Sequence, residues 1–262
     1  MKLGQYLPAD TIIHRLDPRV KIASVLTLSL FIFGATPPEI ALISLFLIAV
    51  IGKTRATLAQ VAAAIRPVAP FMALIFLVHL FFTEGEPLLA LPALSIRITA
   101  EGLVQGTYVT WQFAGLVITG ALLTMTTLPS DLVGGIERLL RPFSKVGIPS
   151  QEIAVMIAMA LRFMPMLLEE YDRIRMAQMA RGADFKTGSL ALRARALTTL
   201  ASPLLLAAFR RADELVLAME ARGYRRGPRT TLRELRMGEG DFAAFAVMAA
   251  FAVVLCGLRM IS

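Results

Sequence analysis

One cysteine and two histidines occur in 262 residues. A lone Cys256 cannot close an internal disulfide, and His14 and His79 stand 65 positions apart, so neither a disulfide-stapled secreted domain nor a Cys/His metal centre fits. Charge is also scarce, at 18% against the roughly 25% of an ordinary soluble domain. Aromatic residues make up only 8% of the chain, and the apolar runs are long, so the net charge of +8 reads as membrane-topology charge and not as affinity for nucleic acid. The first 19 residues hold Asp10, His14, Arg15, Asp17 and Arg19 and no apolar core, so no cleaved signal peptide is expected. Gly52-Lys53-Thr54 imitates the end of a phosphate-binding loop, but position 47 is Leu where that loop needs Gly. No acid pair or nucleophile-base pair suggests catalysis, and no cofactor is implied.

What is present is hydrocarbon, 56% of the residues, with a mean hydropathy of +0.68. A membrane-crossing helix needs about 20 mostly apolar residues. Five uncharged runs approach that: 20–36, 40–52, 68–83, 102–129 and 242–258. Of the 27 Lys and Arg, four open the first run, three lie between the second and third, and eighteen lie between Pro129 and Asp241. Only Arg97 and Arg259 fall on the opposite side, so five spans with the N-terminus inside satisfy the positive-inside rule. The expected fold is all-α and polytopic. Residues 1–19 form a cytoplasmic N-terminal segment, 20–129 transmembrane helices one to four, 130–240 cytoplasmic coupling helices and 241–262 the last transmembrane helix.

Two further apolar stretches, Ile153 to Leu168 and Ala196 to Phe209, are too short to span, and the first contains Arg162 and Pro165. They read as helices against the cytoplasmic membrane face, or as one hairpin dipping into it. In the fourth run, Gly102 and Gly106 form a G-x-x-x-G suited to close packing. Its many threonines either line a substrate path or bond to their own helix backbone. His79 reads as interfacial.

The insertion between Pro129 and Asp241 carries 18 basic and 12 acidic residues, too apolar and too mixed in sign for a disordered tail. Ser130 or Asp131 is expected to cap a helix whose apolar face includes Leu139 and Leu140, with Pro142 stopping it. Ala177 to Gly182 and Ala218 to Gly223 both read A-x-x-A-R-G, 41 positions apart. Gly182 and Gly223 suit left-handed residues that end helices. A single Arg-Gly at a helix end is an ordinary cap. Two matched copies suggest a partner with two equivalent pockets lined by carboxylates, which the planar guanidinium bonds in a bidentate way.

Ala180-Arg181-Gly182 and Ala221-Arg222-Gly223, together with Gln5-Tyr6, His14-Arg15-Leu16-Asp17-Pro18-Arg19 and Lys21, resemble the transmembrane (T) component of energy-coupling factor transporters, the EcfT/CbiQ-type family. The resemblance covers nearly the whole chain. It implies a non-enzymatic coupling subunit that links two ABC-type ATPases to a separate substrate-binding (S) membrane subunit, for uptake of a vitamin or transition metal, with ATP hydrolysis in the partners. It also implies that Arg181 and Arg222 contact the ATPase grooves. The apolar faces at Leu139, Leu140, Leu204 and Leu205 are expected to pack against partners. Leu-Asp-Pro-Arg resembles the shared or vitamin-type module more than the cobalt- or nickel-specific one. The competing readings are the permease of a conventional ABC importer, and a membrane enzyme or scaffold whose basic face binds anionic lipid.

Overall fold

The computed structural model describes residues 9–85, 87–91, 96–142, 150–183, 185, 190–224 and 237–261. Gln5-Tyr6 and Gly227-Pro228 lie outside them. The chain divides into two compact units, one of residues 1–135 with 235–262 and one of residues 136–234.

The first unit opens with α1 (Ile12–Arg15) and α2 (Pro18–Ile32). Asp17 and Pro18 set the start of α2 together: the carboxylate accepts the Arg19 N–H at 2.9 Å, and proline at the first helical position needs no N–H partner. The pair Pro37-Pro38 opens α3 (Pro37–Thr54), whose entry is fixed where the Thr36 N–H donates to the fully buried Glu39 Oε2 at 2.6 Å. Next come α4 (Leu58–Ile65) and α5 (Ala69–Phe82), bent by 64° at a break holding Pro67, with Pro70 just beyond it. An antiparallel hairpin, β1 (Pro87–Leu91) and β2 (Ile96–Thr99), pairs Pro87 with Thr99 and Leu91 with Ile96. It is the one exception to an all-helical architecture among the described residues. Then follow α6 (Ala100–Thr126), α7 (Pro129–Leu140), which crosses the boundary between units, and, after the second unit, α10 (Glu239–Ile261).

The core of this unit is small: Leu28, Ile32, Ile43, Leu47, Leu122, Met248 and Leu255, drawn from α2, α3, α6 and α10. Trp111 Nε1 donates to Ser44 Oγ at 3.0 Å, and Phe46 stacks on Phe251 at 4.4 Å. Much larger apolar groups point outward, among them Leu30, Phe33, Ile48, Phe82, Val104 and Val253. A soluble protein does not expose so continuous an apolar surface; a bundle solvated by lipid does. Three helices are long and apolar enough to cross a bilayer (Pro37–Thr54, Ala100–Thr126 and Glu239–Met260), and α4 with α5 supplies a fourth if the bent pair is one span. At 15 residues α2 extends about 22 Å, short of the hydrocarbon thickness.

Close packing of α5 on α6 rests on the G-x-x-x-G. A Cβ at Gly102 would stand 2.7 Å from the His79 carbonyl oxygen, and one at Gly106 3.1 Å from the Phe76 ring. His79 Nδ1 donates to the Ile75 carbonyl of its own helix at 3.1 Å. Thr107, Thr119, Thr124 and Thr126 likewise donate to carbonyls three or four residues back. The threonines of α6 are thus mostly self-satisfied, which favours the backbone-bonding reading over a polar path.

The second unit is a pair of packed helices, α8 (Ser150–Ala180) and α9 (Leu190–Ala221). The stretches read as separate short helices are parts of these, 31 and 32 residues long, or about 46–48 Å. Pro165 and Pro203 sit inside them; each removes one backbone bond without ending its helix. The expected cap at Ser130 or Asp131 is also corrected. α7 starts earlier, at Pro129, with the Asp131 and Leu132 N–H groups donating to Leu128 O at 3.0 Å.

Candidate functional site: two matched helix ends and a buried clamp

Both A-x-x-A-R-G copies end a long helix in the same way. At the first, the Gly182 N–H donates to Met179 O at 3.0 Å and the Ala183 N–H to Gln178 O at 3.0 Å. At the second, the Gly223 N–H donates to Glu220 O at 2.9 Å and the Tyr224 N–H to Met219 O at 3.0 Å. These are the two crossed bonds of a Schellman cap, complete in each case. Gly182 and Gly223 carry φ of +86° and +71°, and among the described residues they are the only glycines with positive φ. Nothing lies within 4 Å of where their Cβ atoms would be, so backbone conformation alone selects glycine.

In this geometry Arg181 and Arg222 occupy the same position, the last before the left-handed residue. Both are exposed, and neither guanidinium has a hydrogen-bond or ion-pair partner among the described residues. Ala180 and Ala221, one step earlier, are small and exposed, leaving each guanidinium standing clear. Exposed apolar groups lie within six residues of them on the same helices: Met176 and Met179 on α8, Val216 and Leu217 on α9. Uncovered methionine and aliphatic surface gains by leaving water, and a guanidinium without a partner is available to an acid. Of the apolar residues expected to pack against partners, Leu139 and Leu205 are exposed, at 39% and 58%, while Leu140 and Leu204 are half-buried.

The N-terminal motif is built in the opposite sense. Lys21 is buried, and its Nζ donates to the His14 carbonyl at 3.1 Å and to the Thr126 carbonyl at 2.9 Å. The buried Asp241 accepts the Asp17 N–H at 2.6 Å through Oδ1 and the Gly238 N–H at 2.9 Å through Oδ2. Pro18 Cβ lies 3.0 Å from where a Cβ on Gly135 would be. Asp17, Pro18 and Lys21 thereby tie together the end of α6, the first half of α7 and the start of α10, the points where the chain leaves and re-enters this unit. Arg15 is engaged outside the clamp. Its Nε and Nη2 donate to both Asp10 oxygens at 2.7 Å, and the guanidinium holds the Asp10 carboxyl below its usual range. Asp241 was not legible as a member of this group; its partner stands 224 residues away.

No cluster of His, Cys, Asp or Glu among the described residues could hold a metal. The family described as CbiQ, cobalt transport protein, matches residues 9–232. The chain is 43% identical to the energy-coupling factor transporter transmembrane protein EcfT of Thermosediminibacter oceani over 253 residues, 96% of this chain and 95% of that one. It is 43% identical to the protein of the same description from Heliobacterium modesticaldum, over 97% of this chain and 96% of the relative. The corresponding protein of Bacillus subtilis is 37% identical over 99% of this chain and 98% of its own length. Similarity to these relatives spans nearly the whole chain, which belongs to the EcfT/CbiQ-type family of transmembrane (T) components of energy-coupling factor transporters, a membrane-integral transport component and not an enzyme.

Proposed function

We propose that this subunit carries motion from two cytoplasmic ABC-type ATPases to a substrate-binding (S) membrane subunit during uptake of a vitamin or transition metal. The observation that carries the proposal is the pair of identical Schellman ends presenting Arg181 and Arg222 unspent. Two equivalent cations suit two equivalent acid-lined pockets, one on each ATPase. ATP-driven closure of the ATPases draws the two tips together, and the long helices that bear them transmit the displacement. The apolar positions Leu139, Leu140, Leu204 and Leu205 serve partner packing. The self-satisfied threonines of α6 weigh against a permease that binds a polar substrate itself.

The test is a charge reversal at both tips. Arg181→Glu with Arg222→Glu is expected to detach the ATPases or uncouple hydrolysis from uptake, at about 2–5 kcal/mol per contact, with membrane insertion unchanged. Arg173→Glu with Arg175→Glu on α8 is the control; it costs only the exposed pair between Arg173 and Glu170 at 3.5 Å, which contributes little. Equal weakening by both pairs would reduce the effect to diffuse electrostatics.

The five-span arrangement, with α2 as a short first span and the α4–α5 pair as the third, is part of the same proposal. In a Cys256→Ser background, an impermeant thiol reagent added outside is expected to label Glu84→Cys and Met260→Cys and to spare Arg210→Cys. Labelling at position 210 from outside sinks the arrangement.

A further inference from the structure

The bundle holds a cleft of about 450 Å³, lined by α1, α2, α3, α6 and α10, that the coupling mechanism does not use. Its size lies within the range of ligand sites, roughly 300–1,000 Å³. Its chemistry is unlike that of a polar-substrate site. The walls are hydrocarbon, with Leu28, Phe46, Val50, Leu122, Val247 and Met248 among them. The threonine hydroxyls that line it are already committed: Thr54 donates to Ile51 O at 2.8 Å, Thr119 to Gly115 O at 2.7 Å and Thr126 to Leu122 O at 2.7 Å. Lys21 is committed too, to two carbonyls.

Two polar lining groups are left over, Ser24 and Lys53, and only Lys53 carries charge. Lys53, at the last turn of α3, is exposed and has no hydrogen-bond or ion-pair partner among the described residues. Arg55, two residues on, is exposed, equally unpaired, and turned by a left-handed backbone with φ of +54°. Among the described residues, no carboxylate lines the cleft. A bilayer-embedded apolar cleft does not stand empty, because hydrocarbon fills it at no cost in hydrogen bonds. An unpaired ammonium at its rim adds attraction for an anionic group joined to that hydrocarbon.

We propose that this cleft is a binding site for one anionic glycerophospholipid, an acyl chain lying among α2, α3, α6 and α10 with the phosphate on Lys53. The site rests on the membrane-integral character of the chain and not on the ATPase-coupling reading. It makes the lipid a structural ligand of the bundle, wedged against the helix that carries Thr126, the carbonyl that Lys21 holds.

The test uses the purified full chain, stripped of lipid in detergent and titrated with palmitoyl-oleoyl phosphatidylglycerol or phosphatidylcholine, with bound lipid counted by native mass spectrometry. The unaltered chain is expected to retain one phosphatidylglycerol about fivefold more tightly than phosphatidylcholine, the worth of one cation at a lipid headgroup. Lys53→Gln is expected to abolish the preference while still binding lipid. Val247→Trp, which fills the cleft from α10, is expected to lose both lipids without unfolding the chain. Equal retention of the two lipids by the unaltered chain, a preference that survives Lys53→Gln, or full retention by Val247→Trp overturns the site. So does a disulfide from Ala244→Cys, in a Cys256→Ser background, to a cysteine of the small membrane subunit in the complete transporter, because the cleft is then a protein interface. None of the lipid titrations involves an ATPase, so their failure leaves the coupling proposal standing.

Discussion

The two units use their basic motif residues in opposite ways. In the bundle, Lys21 is buried and gives two hydrogen bonds to backbone carbonyls more than 6 residues away along the chain, one of them 105 residues distant. In the second unit, Arg181 and Arg222 are exposed and give none among the described residues. Both kinds of residue belong to the motifs that carried the resemblance to the family. The difference teaches that a cation in such a motif is not by itself a contact to a partner: one is spent on holding its own chain together, and the other two make no such bond among the described residues.

The comparison can be broken first at Lys21. Lys21→Met removes the cation from among Asp17, Asp131 and Asp241 and leaves two carbonyls short of a donor. Breaking such a buried arrangement by removing one partner costs about 3–5 kcal/mol, and the detergent-solubilised protein is expected to melt well below the unaltered chain. Arg181→Met and Arg222→Met are expected to leave the melting temperature unchanged. A Lys21→Met protein as stable as those two would erase the contrast.

A smaller effect is expected at the α5–α6 contact. Gly106→Val drives a branched side chain into Phe76, where a Cβ alone already stands 3.1 Å away. Overpacking of this kind costs about 1–3 kcal/mol, and the loss is read as a lowered melting temperature with ATPase binding intact. Smallest are the caps. Gly182→Ala and Gly223→Ala meet no steric obstruction, so each pays only for left-handed backbone, about 1–2 kcal/mol. Faster amide exchange confined to Arg181–Ala183 or Arg222–Tyr224 is expected, with the bundle amides unaffected.

How legible the molecule is from its sequence follows the same division. Local signals read well: the glycines that stop α8 and α9 and the close-packing glycines of α6 are settled within a few residues of chain. Lengths read less well, because charges were taken as ends. Glu169 and the Arg210-Arg211 pair, where the two apolar stretches stop, do not interrupt α8 and α9, since a helix carries charge at any exposed turn. The hairpin of β1 and β2 and the clamp at Asp241 were not read at all. The hairpin is a short connection with little periodicity to see, and the clamp joins residues whose proximity depends on how four helices pack. That Lys21 belongs to the motif carrying the resemblance was visible; that it bonds Thr126 was not.

The bond from the Asp17 N–H to Asp241 also bears on how the protein is made. At roughly 5–20 residues per second of synthesis, the 224 residues separating the two take on the order of 10–45 s to be added. During that interval α2 already has its own start, because Asp17 Oδ1 accepts the Arg19 N–H. The Asp17 backbone N–H is not satisfied locally, and the final helix must arrive to accept it. The helix that Asp17 opens can therefore insert early and still remain open to rearrangement, while α8 and α9 emerge and fold. Closure of the bundle is reserved for the last segment off the ribosome, so a chain truncated before Asp241 would hold its two arginine tips but lack the fastening that fixes where their unit begins and ends.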